Sequence, residues 1–292
     1  MAQSLIASRA DNAHVSQSIP AVWRTRAIVL AGLVCCLIAT PGTAWAQLEA
    51  DRLEIFLNAG PGVARGTFTI RNVSDQQVTS QLSIGDWMRA IDGTNNFSDT
   101  AGTMAGSCHP ALTIFPTILR LAPRQSQAVT VTYSGGPRTS SCWSIMFVGS
   151  APQPATISGG AQVTVELRQG IKIYVQPPSV RPELQIDTVD TARHVPLRSE
   201  SPTDTAGTDI VAMVRNPGTI QSRVKGRLEF RTVKDSVVTQ RVIDEFPILP
   251  GAQRRVRSQI PRLPAGHYVV LVIFDYGGSE LVAAQIEIDV AR

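Results

Sequence analysis

The chain has 292 residues, 43% of them hydrophobic, 17% charged and 5% aromatic, which is apolar enough to bury a core and too weakly charged for a charge-dominated disordered segment. Its 27 basic and 23 acidic residues give +4; setting aside Arg9, Arg24, Arg26 and Asp11 of residues 1–46 leaves 24 and 22, or +2. A dedicated nucleic-acid binder needs a larger, clustered basic excess to neutralise phosphates, so that class is excluded. The length suits two domains, and 22 Gly with 19 Pro favour short strands and turns over long helices.

At the N-terminus, Arg24 and Arg26 precede an apolar run from Ala27 to Ala39, and the segment closes on Ala44-Trp45-Ala46. That order of basic, apolar and small-x-small residues predicts a cleaved export signal over 1–46 and a mature start at Gln47. The run is short of the roughly 20 residues that span a bilayer as a helix. Two cysteines then remain, Cys108 and Cys142. An even count in an exported chain predicts one disulfide between them, with two separate thiols as the alternative.

From Leu53 onward the pattern has a period of two. Gly66 to Arg71, Val78 to Ile84, Ala128 to Tyr133, Val163 to Leu167 and Ile171 to Val175 are rich in Val, Ile, Thr and aromatic residues, with Gly, Pro, Asn and Asp between them. They read as antiparallel strands of a β-sandwich over 47–178, enlarged by a loop from Ala90 to Pro110. Residues 179–206 read as a polar, proline-containing linker, with one strand expected at Glu183 to Ile186. A second sandwich is expected over 207–292, from strands at Asp209 to Val214, Arg223 to Phe230, Arg241 to Phe246, Arg254 to Ile260, Tyr268 to Phe274 and Leu281 to Val290. In the second of these, charges at 223, 225, 227, 229 and 231 alternate with Val224, Leu228 and Phe230, giving one wet and one core face. The fold class is therefore all-β, two immunoglobulin-like sandwiches in tandem.

Catalytic patterns are missing from the sequence. His109, His194 and His267 lie far apart, without metal-ligand spacing. Ser107-Cys108-His109 sets a thiol beside an imidazole, but neighbours on an extended chain point to opposite sides and the thiol is expected in a disulfide. Asp86, Asp92 and Asp99 lack calcium-loop spacing, and Asp92-Gly93 reads as a turn. The Gly-Gly pairs at 135, 159 and 277 do not open a helix that would hold a phosphate. We expect no enzyme activity, cofactor, metal or small-molecule substrate.

Several segments together resemble the periplasmic chaperones of pilus assembly by the chaperone–usher pathway. They are Ile114-Phe115-Pro116 through Arg120-Leu121-Ala122-Pro123 to Val129-Thr130-Val131, Cys142-Trp143-Ser144-Ile145-Met146-Phe147, Ile171-Lys172-Ile173-Tyr174 with Pro177, Asn216-Pro217, and Asp275-Tyr276-Gly277-Gly278. The resemblance implies an exported, periplasmic, ATP-independent chaperone whose partners are pilin-like secreted subunits and an outer-membrane usher. It implies that a strand carrying Val163, Val165 and Leu167 on one face is lent to the subunit, and that Lys172 anchors the subunit's C-terminal carboxylate. The second anchoring cation of that family falls at Glu54 by simple alignment, with Arg52 one pleat earlier, so Arg52 is the candidate. An exposed edge of this kind is also open to self-capping in a dimer. The alternative is a structural or adhesive cell-surface or periplasmic protein with both sandwiches self-complete and no such client.

Overall fold

The computed structural model describes residues 47–149, 153–156, 160, 162–166, 168–194 and 207–291. The expected export segment and Leu167 lie outside the described residues. Period-two alternation becomes strand after strand: β1 (Leu48–Ala50), β2 (Glu54–Asn58), β3 (Ala64–Asn72), β4 (Val78–Arg89), β5 (Asn95–Ser98), β6 (Leu112–Phe115), β7 (Ile118–Leu121), β8 (Ser126–Tyr133), β9 (Cys142–Gly149), β10 (Gln153–Thr156), β11 (Gln162–Val165) and β12 (Arg168–Gln176). One sheet runs β1-β3-β8-β6 and the other β2-β12-β9-β4-β5, with β7 also on β4 and β10-β11 a separate pair. The first strand of the chain is thus divided between the two sheets, as in immunoglobulin-like sandwiches.

Between the sheets, Phe68, Ile70, Val129 and Val131 face Met146, Ile171, Ile173 and Val175, all at most 1% exposed. Each such side chain contributes about 1.5–3 kcal/mol of transfer free energy. The loop after β5 is fastened to this core by Cys108, which is disulfide-bonded to Cys142 at the start of β9 with Cα atoms 5.0 Å apart. Part of the expected loop from Ala90 to Pro110 is therefore strand, because Asn95 to Ser98 pairs with Asp86 to Arg89.

The second sandwich comprises β13 (Gln185–Arg193), β14 (Thr208–Arg215), β15 (Ser222–Thr232), β16 (Val237–Ile248), β17 (Gln253–Gln259), β18 (Gly266–Asp275) and β19 (Val282–Val290), in sheets β13-β14-β17 and β16-β15-β18-β19. Its core gathers Val214, Val224, Phe230, Val270, Val272 and Phe274. The strand expected at Glu183 to Ile186 runs on to Arg193, paired with β14. It escapes a hydrophobicity reading because it is an edge strand of which only Ile186 and Val189 pack on the core. On β15 the expected wet face has one exception: Glu229 is 4% exposed, with Oε1 accepting from Arg227 at 2.7 Å and Oε2 from Arg231 at 2.5 Å.

The same device closes a strand end in both sandwiches. Asn72 Nδ2 donates to the carbonyls of Leu121 and Ala122 at 3.1 and 3.0 Å, while Asn216 Nδ2 donates to those of Ile220 and Ile248 at 2.7 and 3.0 Å. Buried backbone carbonyls at strand ends need such donors.

Candidate binding cleft and strand edge

Strand β12 is the element around which the site is built. Ile171, Ile173 and Val175 point into the core, so Arg168, Gly170, Lys172 and Tyr174 share the opposite face. Along one edge β12 pairs with β9 from Arg168 to Val175. On its other edge the parallel partner β2 begins only at Lys172, opposite Glu54. Among the described residues, no strand covers that edge from Arg168 to Ile171. Upstream, β11 pairs with β10 and with no other strand among the described residues. Strands β9 and β10 thus form one arm of a long hairpin, and β11 and β12 the other. Val163 lies half-buried on β11 between exposed Gln162 and Thr164, and Val165 is its last residue.

The outward face of the β12 sheet is aromatic. Trp87, Trp143, Ile145, Phe147 and Tyr174 form a cluster that also takes in Leu249 of the second sandwich. Trp143 Nε1 donates to the Trp87 carbonyl at 2.9 Å, and Phe56, still 46% exposed, stacks on Tyr174 at 4.9 Å between centroids. Burial of Tyr174 pushes its phenol pKa up. Two cations lie on this face: Lys172 Nζ is 4.5 Å from the Trp87 ring centroid and Arg168 is 4.3 Å from that of Phe147. Partial burial, followed by the Arg89 charge, holds the Lys172 ammonium below its usual pKa, against the pull of Glu54.

The sandwiches meet beside Lys172. Arg223 of β15 binds the Glu54 carboxylate and donates to Glu245 at 2.7 Å. Ser141 N donates to the Thr219 carbonyl at 2.8 Å and Arg255 N to that of Ile91 at 2.7 Å. The described residues of both sandwiches accordingly cluster as one compact unit.

The sequence-derived candidates are distributed as follows. Lys172 stands at this junction with Glu54 as its register partner. Arg52 precedes β2, and its Nε lies 3.4 Å from Asp51, with the side chain 54% exposed. Cys108 and Cys142 are joined, which removes the thiol of Ser107-Cys108-His109 as a nucleophile. No group of three or more His, Cys, Asp or Glu among the described residues could hold a metal.

Sequence reasoning passed over three side chains here. Arg89 shares the outward face of β4 with Trp87, a period-two signal that was available. Arg254, whose guanidinium packs on Gly93 of the turn between β4 and β5, and Arg223 come from the other sandwich, and nothing local in their strands announces the meeting. Asp86, which the sequence offers only as one of three acids around a turn, has a different place. It is 1% exposed and accepts hydrogen bonds from Thr103 N at 2.7 Å, Met104 N at 3.0 Å and Ser107 Oγ at 2.6 Å, shaping the loop that the disulfide ties down.

No protein-family model matches the sequence, and no curated protein matches it. Among solved structures, the chain is similar to the class 5 fimbriae chaperone CfaA, at 10% identity and a TM-score of 0.46 over 82% of this chain and 98% of that one. It is similar to the SafB chaperone–SafA pilin complex of Salmonella enterica, at 15% identity and TM-score 0.43 over 84% and 98%. It is also similar to the E. coli chaperone DraB, at 18% identity and TM-score 0.40 over 83% and 98%.

Proposed function

We propose that this chain is an exported, periplasmic, ATP-independent chaperone that holds secreted fibre subunits by lending them the edge of the β11–β12 arm. The observation that carries the reading is the one-sided pairing of β12: Arg168 to Ile171 keeps backbone donors and acceptors on an edge no described strand covers. An edge of that kind completes an unfinished sheet by β-augmentation. Val163, Val165 and Leu167 are the side chains offered to the subunit's groove, about 5–9 kcal/mol for three buried aliphatics before ordering costs are subtracted. The sequence segments that resemble chaperones of the chaperone–usher pathway support the same reading.

In this reading Lys172 anchors the subunit's terminal carboxylate. A half-dry ammonium over an aromatic face attracts an anion more strongly than a fully solvated one. Arg52 is the proposed second cation, reaching the cleft from ahead of β2 once its pair with Asp51 opens. The handover partner is an outer-membrane usher, and a second copy of the chain is the occupant of the edge when no subunit is present.

Co-expression with a pilin-like subunit tests the proposal. Lys172→Ala is expected to lower the amount of subunit recovered in complex while the melting temperature stays within a few degrees of the parent. Val165→Asp is expected to abolish capture in a folded protein. Undiminished recovery with Lys172→Ala removes the anchor, and unfolding of Val165→Asp leaves a self-complete structural sandwich as the better description.

A further inference from the structure

Strand β16 is an edge of the second sandwich. It pairs with β15, and the backbone groups on its other side have no strand partner among the described residues. Long edges of this kind are usually blunted by lysines, prolines, bulges or a covering segment. β16 contains no lysine, and its one proline, Pro247, stands next to its end. Its bulges face the breaks between Val224 and Gly226 and between Phe230 and Arg231. Between them, Thr239 to Ile243 runs in unbroken register against β15. Near the centre of the strand Val242 is 82% exposed, more than any other large hydrophobic side chain among the described residues, and Val237 and Val238 are exposed as well.

The order of residues along β16 is self-complementary. Turned antiparallel about Val242, a second copy sets Val242 on Val242, Gln240 on Asp244, Thr239 on Glu245, Val238 on Phe246 and Val237 on Pro247. The half before the axis carries the side-chain donors Thr239, Gln240 and Arg241, and the half after it carries the exposed acids Asp244 and Glu245. Antiparallel pairing therefore lays donors on acids at both ends, and Arg241 reaches Glu245 of the second copy across the diagonal. Neighbouring registers lose this match. An axis on Arg241 puts two guanidiniums face to face, one on Gln240 puts Glu245 opposite Asp235, and one on Ile243 sets exposed Val242 on Asp244. Like charges directly opposite are destabilising. The axis on Val242 also overlaps the two strands over nearly their whole length.

We infer that the chain forms a symmetric dimer through its β16 edges, the sheet β16-β15-β18-β19 of one copy continuing into that of the other across a twofold axis at Val242. An edge paired with its own copy is used up by the pairing, so the assembly closes at two chains. Every residue of this interface belongs to the second sandwich, which keeps it apart from the β11–β12 edge.

Sedimentation equilibrium of the purified protein with no subunit present tests the pairing independently of capture. A dimer mass is expected at micromolar concentration. Val242→Lys changes a side chain too exposed to support the core, and it is expected to weaken dimerisation about tenfold by placing two ammonium groups on the axis. Val242→Asp is expected to do the same. An equimolar mixture of the two variants is expected to recover the dimer, because the axis then holds one cation and one anion. Val242→Cys is expected to cross-link to its own copy under mild oxidation, since directly opposite Cα atoms lie about 4.5–5.5 Å apart, within disulfide range. Gln240→Cys, opposite Asp244, is expected not to cross-link. A monomer at micromolar concentration, or a dimer that neither charged variant weakens, overturns the inference. A dimer weakened by each variant but not restored by mixing them overturns the twofold pairing at Val242.

Discussion

Glu54 lies opposite Lys172 in the parallel pairing of β2 with β12, and its carboxylate is engaged by Arg223 of the second sandwich. The first-strand position nearest the lysine is thus acidic, and a cation from elsewhere balances it. A carboxylate arriving at Lys172 meets this one as a repulsive neighbour.

Glu54→Gln is therefore expected to tighten subunit capture, since it removes a negative charge beside the anchor. The lost pair with partly exposed Arg223 costs about 0–1 kcal/mol, visible as a small fall in melting temperature. Affinity for the subunit, measured in low and moderate salt, checks the point. Weaker capture by Glu54→Gln excludes Lys172 as a carboxylate anchor.

The alternation of strands and the core was legible because period-two patterning is local: Ile171, Ile173 and Val175 announce their face without knowledge of any partner. What lay beyond reach was register and long-range meeting. That β2 pairs only from Lys172 onward decides where the edge is uncovered, and it depends on where Glu54 falls against a strand more than a hundred residues away. The packing of Arg254 on Gly93 across the sandwich junction is likewise encoded by no pattern within β17. Asp86 was read as one of three acids around a turn, whereas its surroundings are set by a loop folded back under a disulfide.

Asp86→Asn tests the loop. The buried carboxylate accepts from Thr103, Met104 and Ser107, and bonds to a charged acceptor contribute more than neutral ones, so a loss of about 3 kcal/mol is expected. Urea unfolding of parent and variant gives the difference. A loss below about 1 kcal/mol means the loop is held by the disulfide and not by the carboxylate.

Reduction of the disulfide frees a segment of 33 intervening residues and is expected to lower stability by about 3–4 kcal/mol in the chain-entropy account. The effect has a spectroscopic companion. Gly106 packs on the Trp143 ring, where a Cβ would come within 2.3 Å, and its carbonyl accepts from Trp143 N at 2.8 Å. Release of the loop should therefore expose that indole and red-shift tryptophan emission before global unfolding. An unchanged spectrum in reduced, folded protein shows that the loop keeps its place without the covalent tie.

His267 supplies a pH test in the second sandwich. Its Nδ1 lies 2.8 Å from Asp289 and its Nε2 3.4 Å from Glu287 on the neighbouring strand β19. The hydrogen bond to Asp289, opposed by slight desolvation and aided by both acidic charges, raises its pKa above the ordinary value. A group whose folded pKa is raised stabilises the protein fully below its unfolded value, about 6.5, and that contribution disappears as pH rises through the folded value. The imidazole resonance should accordingly titrate above about 6.5, and Asp289→Asn should move the midpoint down. The difference in melting temperature between parent and Asp289→Asn should be largest at mildly acidic pH and shrink as the imidazole becomes neutral. A difference that instead grows with pH, or a midpoint unmoved in Asp289→Asn, means that the β18–β19 pairing does not depend on the charged histidine.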